Sequence, residues 1–136
     1  MEGEINLNAI LKNLNPVLNE GKYVYLKIDS VEDIPFSKIV LLFKEKEGIT
    51  VVVEKQTAED LNHSFSYIAS WITLEVHSSL AAVGLTAAFS QALGNAGISC
   101  NVVAAYFHDH IFVDEKDATK AMEVLLELKQ KSEDSI

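Results

Sequence analysis

Cysteine is almost missing from this chain of 136 residues. With Cys100 as the single thiol no intrachain disulfide can form, so nothing implies an oxidising compartment or a stapled scaffold. Long hydrophobic runs are missing as well. Nowhere do roughly 18 apolar residues follow one another without a charge, the length that a membrane-spanning helix requires. The opening MEGEINLN has no basic segment leading into an apolar one, so no secretory leader is expected there. Positive charge is scarce: 11 Lys and Arg face 20 Asp and Glu, a formal charge of -9. Such a surface repels phosphate backbones and anionic lipid, which argues against nucleic acid and membrane as partners. The chain is therefore expected to be soluble and cytoplasmic.

What is present is apolar content. Hydrophobic residues make up 49% of the chain, enough to bury a core and too mixed with charge for disorder. The length fits one ordinary domain or two small ones sharing a core. Leu7, Ile10, Leu11, Leu14 and Leu18 recur at helical spacing behind Asn6 or Asn8 as cap, and Pro16 is expected to end or kink that helix. Tyr23 to Ile28 reads as a strand, and Asp29 to Phe36 as a loop. Ile39 to Phe43 and Ile49 to Val53 are two apolar runs joined by a charged turn ending in Gly48, a hairpin signal. Thr57 to Leu61 is a helical turn at most.

The rest of the chain is organised around the stretch from Ile72 to His110. Ile72, Leu74 and Val76 alternate with Thr73, Glu75 and His77, the period of a half-buried strand. After His77-Ser78-Ser79, Leu85, Ala88, Phe89, Ala92, Leu93 and Ala96 form one stripe of an amphipathic helix, and Gly97 supplies its stop. Ile98 to Tyr106 reads as a strand buried on at least one face, and on both at its C-terminal end. Phe107 to His110 is read as a turn before the return strand Ile111-Phe112-Val113. A last helix follows, capped by Asp114 or Asp117, with Ala118, Ala121, Met122, Leu125 and Leu128 inward.

This order predicts an α+β fold of ferredoxin-like βαββαβ type, antiparallel sheet with helices on one face. Two incomplete copies, residues 1–66 and 67–136, each lack an element that the other can donate. Two such units sharing strands are expected, and an exposed strand edge offers a seam for a homodimer or higher homo-oligomer.

The string ITLEVHSSLAAVGLTAAFSQALGNAGISCNVVAAYFHDHIFV resembles a family of small bacterial proteins with tandem ACT domains, related to the CASTOR-type ACT group. LNPVLNEGKYVYLKI and LLFKEKEGITVVV are similar to the same family, so the resemblance spans nearly the whole chain. It implies an ACT fold, binding of a small molecule in the manner of amino-acid sensors, a regulatory role, no catalysis and no cofactor. By resemblance the ligand site comprises His77, Ser78, Ser79, Val83, Gly84 and Leu85 at the strand-to-helix elbow, with Asn101 and Val102 on the neighbouring strand. The residues themselves permit that reading, since a helix N-terminus offers unpaired N–H groups and a positive dipole end to a carboxylate. They equally permit Ser78 or Ser79 as a plain helix cap and Gly84 as a packing position.

Other chemistry is less well supported. His108 and His110 stand two apart with Asp109 between, a fragment of a metal ligand set, but a turn needs polar residues in any case. No metal is expected. Cys100 shares its strand phase with Ile98, Val102 and Ala104 and reads as an inert buried thiol. His77 and Ser79 lack the G-x-S-x-G elbow of a hydrolase, and no catalytic residue is assigned. Glu75 beside His77 can serve a ligand ammonium or a solvated salt link. Trp71 reads as an edge or interface anchor rather than a stacking platform. The alternative function is a protein–protein interaction module with a vestigial pocket, and after it a metal protein using His108 and His110.

Overall fold

A computed structural model describes residues 6–76 and 83–134, and the chain divides into two compact units. One unit is Glu20–Ser70; the other joins Met1–Asn19 to Trp71–Ile136. In chain order the elements are α1 (Leu7–Lys12), β1 (Asn15–Leu18), β2 (Tyr23–Ile28), β3 (Ile39–Lys44), β4 (Ile49–Glu54) and α2 (Lys55–Asp60). Then come β5 (Ile68–Glu75), α3 (Leu85–Asn95), β6 (Cys100–Ala104), β7 (Asp109–Asp114) and α4 (Ala118–Asp134). Single 3-10 turns at Phe36–Lys38 and Glu115–Asp117 precede β3 and α4.

In the Glu20–Ser70 unit the strand order is β3-β4-β2, with the first residues of β5 beside β2. The β3–β4 hairpin closes through Gly48, whose φ of +157° suits a residue without Cβ. β4 then pairs antiparallel with β2 from Tyr23↔Glu54 to Ile28↔Ile49. Val24, Leu26, Ile28, Val51, Val53 and Ala58 make one core, into which Ile34 drops from the loop after β2. The order β2, β3, β4, α2, β5 is a βαββαβ unit in which the loop 29–38 stands where its first helix would be.

The other unit has the order β1-β5-β7-β6. β5, α3, β6, β7 and α4 supply three strands and two helices, and the fourth strand comes from the far end of the chain. β1 pairs antiparallel with β5 from Asn15↔Glu75 to Leu18↔Ile72. Ile72 and Leu74 of β5, Ile111 and Val113 of β7, Phe89 and Leu93 of α3 and Leu125 of α4 are fully buried together with Ile10 and Leu14 from the N-terminal segment. α1 packs on both α3 and α4. β5 is thus one strand used twice: Ile68 and Ala69 pair within the first unit, Ile72 to Glu75 within the second.

The ferredoxin-like α+β expectation holds, and four local readings are corrected, one of them the turn at Phe107–His110, whose last two residues, Asp109 and His110, already belong to β7. The first helix ends at Lys12, well before Pro16, and residues 15–18 form a strand. Leu18, counted in the helical stripe, is 42% exposed. Proline is tolerated in β1 because that strand is paired on one side only. The segment after β4 is a helix of six residues rather than a turn. β6 is not doubly buried at its C-terminal end, where Ala104 is exposed, because the strand borders β7 alone.

Leu14 has no solvent exposure and lies between α1 and β1, so it measures how firmly the N-terminal segment is built into the second unit. Leu14→Ala is expected to cost about 2–5 kcal/mol in urea unfolding, the range for a buried leucine whose cavity cannot collapse. A loss below about 0.5 kcal/mol means that the segment is not part of this core.

Candidate functional site

The elbow expected to hold a ligand follows β5. Its residues His77, Ser78 and Ser79 lie outside the described residues, and the description resumes at Val83. Val83 is 84% exposed. Gly84 is the N-cap of α3 with φ +100° and ψ -16°, a left-handed conformation, and it offers no side chain to cap the helix. The first turn contains no acidic residue. The first intrahelical bond of α3 runs from the Ala88 N–H to the Gly84 carbonyl at 2.9 Å, so helix geometry leaves the N–H groups of residues 85–87 without an acceptor inside the helix. A Cβ on Gly84 would stand 3.2 Å from Leu7 Cδ2, so the position also carries the close approach of α1.

The remaining expected residues do not gather on one surface. Leu85 is 4% exposed and its side chain belongs to the core, leaving only its backbone N–H for a ligand. Val102 packs against that same core. Asn101, one residue earlier, faces the other side of the sheet, where its amide donates to the Phe112 carbonyl at 3.3 Å.

That other side of the sheet carries a chain of polar contacts that sequence reasoning did not assemble. Trp71 and Thr73 stand on it because Ile72 and Leu74 occupy the core phase of β5. The Trp71 indole N–H donates to His110 Nδ1 at 3.0 Å, and Thr73 Oγ1 lies 3.2 Å from the same nitrogen. Asn19 follows β1 and closes the chain: its amide donates to Thr73 Oγ1 at 2.9 Å and to the Trp71 carbonyl at 3.2 Å. Its backbone N–H donates to that carbonyl too, at 2.8 Å. Phe112 stacks on Trp71 with ring centroids 6.1 Å apart. Burial, and secondarily the neighbouring His108, hold the His110 pKa below its ordinary value. Burial raises that of Asp109. The signal in the sequence was the polar phase of the strand itself, Trp71 and Thr73 at one spacing and His110 and Phe112 at the same spacing.

His108 and His110 had suggested a metal fragment. Among the described residues no three His, Cys, Asp or Glu side chains come together in a way that would hold an ion, and His110 Nδ1 is already engaged by Trp71. Cys100 lies half-buried against the core, and burial pushes its thiol up to about 11. A groove of about 450 Å³ runs between α3 and α4, floored by Ala88, Ala92, Val124 and Leu128, and contains none of the expected site residues. No described helix is long and apolar enough to cross a membrane.

The split-βαβ order of antiparallel strands and helices in each unit places the chain in the ferredoxin-like class of α+β domains. Family profiles described as ACT domain match residues 2–70 and 66–127, and the chain belongs to the ACT-domain family. No curated protein matches it. Among solved structures it is similar to a Vibrio cholerae protein of unknown function, described as a possible transport protein. The two are 40% identical over 90% of this chain and 95% of that one, with a TM-score of 0.83. It shares its fold with a protein from Agrobacterium tumefaciens, at 17% identity, TM-score 0.62, and coverage of 86% of this chain and 90% of that one. The ligand-free regulatory subunit of aspartate kinase from Thermus thermophilus has the same fold, at 8% identity, TM-score 0.61, and coverage of 85% and 98%.

Two outcomes follow from this geometry. Gly84→Ala is expected to destabilise the protein by about 1–2 kcal/mol, since the left-handed backbone and the Leu7 contact both oppose a Cβ; calorimetry showing no loss would mean that the elbow relaxes freely. Cys100 is expected to react with a thiol reagent at pH 7.5 far more slowly in the native protein than in denaturant, because little thiolate forms while the thiol is buried.

Proposed function

We propose that this chain is a non-catalytic regulatory protein that binds an amino acid at the elbow between β5 and α3, through His77, Ser78, Ser79, Val83, Gly84 and Leu85. Asn101 and Val102 on β6 are left out of this site, because β7 lies between β6 and β5 and the two side chains face opposite sides of the sheet; the protein works as a homodimer or higher homo-oligomer. The observation that carries this reading is the start of α3. A helix of 11 residues opens on a glycine, with neither a side-chain cap nor an acid in its first turn. The positive end of the helix and its N–H groups suit the carboxylate of an amino acid, which takes the place of the missing cap. Membership of the ACT family supports a small-molecule ligand, and the fold shared with an aspartate kinase regulatory subunit supports regulation rather than catalysis. Binding regulates only if the ligand prefers one state of the protein over another.

A second reading, an interaction module without a ligand, is favoured by the exposed aromatic pair Tyr106 and Phe107, 58% and 64% accessible at the turn between β6 and β7.

Thermal denaturation against the twenty amino acids separates the two. A ligand present at a hundred times its dissociation constant adds about 2.7 kcal/mol of stability. One amino acid is expected to raise the midpoint of the native protein. Val83→Asp, which sets a competing carboxylate beside the helix end, is expected to weaken that ligand at least tenfold while leaving the unliganded protein as stable or more stable by about 0.3–1 kcal/mol. If no amino acid moves the midpoint, the ligand-binding reading fails and the interaction module replaces it.

A further inference from the structure

An indole N–H can only donate, so the bond from Trp71 to His110 requires that Nδ1 carry no proton. The neutral ring then holds its hydrogen on Nε2, a tautomer set by the neighbouring tryptophan. A proton added to Nδ1 turns that acceptor into a donor facing a donor. Thr73 Oγ1 stands 3.2 Å from the same nitrogen and uses one lone pair for the Asn19 amide, leaving a second to accept from an imidazolium. We propose that Trp71, His110 and Thr73 form a proton-operated toggle: Nδ1 of the neutral ring accepts from the Trp71 indole, whereas Nδ1 of the charged ring donates to Thr73 Oγ1 and the indole gives up that acceptor.

The surroundings set the direction. Just before β7, His108 is a second base whose charge opposes that of His110, while on β7 itself Asp109 points to the opposite face and Asp114 stands four residues further along the strand. On β5 the same-face carboxylate Glu75 is held by the Asn15 amide of β1 at 3.0 Å. On β6 the cross-strand partner of His110 is the uncharged Val103. Burial and the His108 charge both resist protonation, which agrees with the lowered pKa of His110, so the toggle moves on the acid side of an ordinary histidine. What moves is Trp71, whose carbonyl anchors Asn19 and whose ring stacks on Phe112.

Trp71 is the single tryptophan, so its emission and its indole ¹⁵N–¹H resonance report the toggle in the intact protein. Titration from pH 8 to pH 4, with far-UV circular dichroism as the control for folding, is expected to give one transition of both signals with a midpoint below about 6.5 while the dichroism is unchanged. Faster exchange of the indole hydrogen should accompany it. His110→Gln should abolish the transition. His108→Gln should raise the midpoint by roughly half a pH unit, the size of one screened neighbouring charge, and Thr73→Val should lower it. Signals that stay flat in the native protein, a transition that survives in His110→Gln, or one that coincides with loss of dichroism overturns the toggle. Long-range ¹⁵N spectra of the native protein at pH 8 test it without any variant: a hydrogen found on Nδ1 rather than Nε2 refutes it.

Discussion

Everything in this molecule hangs on the alternation of side chains along β5. Ile72 and Leu74 point into the helical core and are wholly buried, while Trp71, Thr73 and Glu75 point to the other face. A slip of one residue would exchange the two sets and place a tryptophan and a threonine under the helices, so burial pins the register. The same register then determines which residue of β1 lies opposite which residue of β5. It also brings Thr73 opposite Val17 and Trp71 within reach of Asn19 just past the end of β1. Core and polar face are two readings of a single strand.

The strong periodic elements were legible in the residues because their amphipathic pattern is what burial selects. β5, α3, β7 and α4 emerge with their buried stripes as expected, and the hairpin of β3 and β4 announces itself through Gly48. β1 was illegible for a physical reason. Its four residues form no stable element alone; they are extended because β5 lies sixty residues away to receive them, and spacing along the chain carries no record of that partner. The leucines around it mimic a helix, with Leu14 buried in the turn before β1 and Leu18 left in solvent.

The candidate site divides along the same line. The helix pattern of α3 is local and legible, but its start is not: the residues suggest a cap at Ser78 or Ser79, whereas α3 opens on Gly84, which supplies no side-chain cap. The face of Trp71 and His110 could not be anticipated either, because its members come from β1, β5 and β7 and meet only when the sheet forms. Asn101 and Val102 show the limit of treating adjacent residues as one site: consecutive strand residues point in opposite directions, and only one of the pair faces away from the core.

The borrowed strand also governs when the molecule can be assembled. Residues 15–18 are synthesised before β5, which pairs with them, and before β7 and α4, which complete the same core. The opening segment is therefore a guest that arrives long before its host. Closing that contact joins Asn15 to Glu75 and Leu18 to Ile72, a longer span than any strand pairing of the first unit, whose strands all lie within fifty-one consecutive residues, Glu20–Ser70; this raises the contact order of the second unit and slows its folding relative to the first.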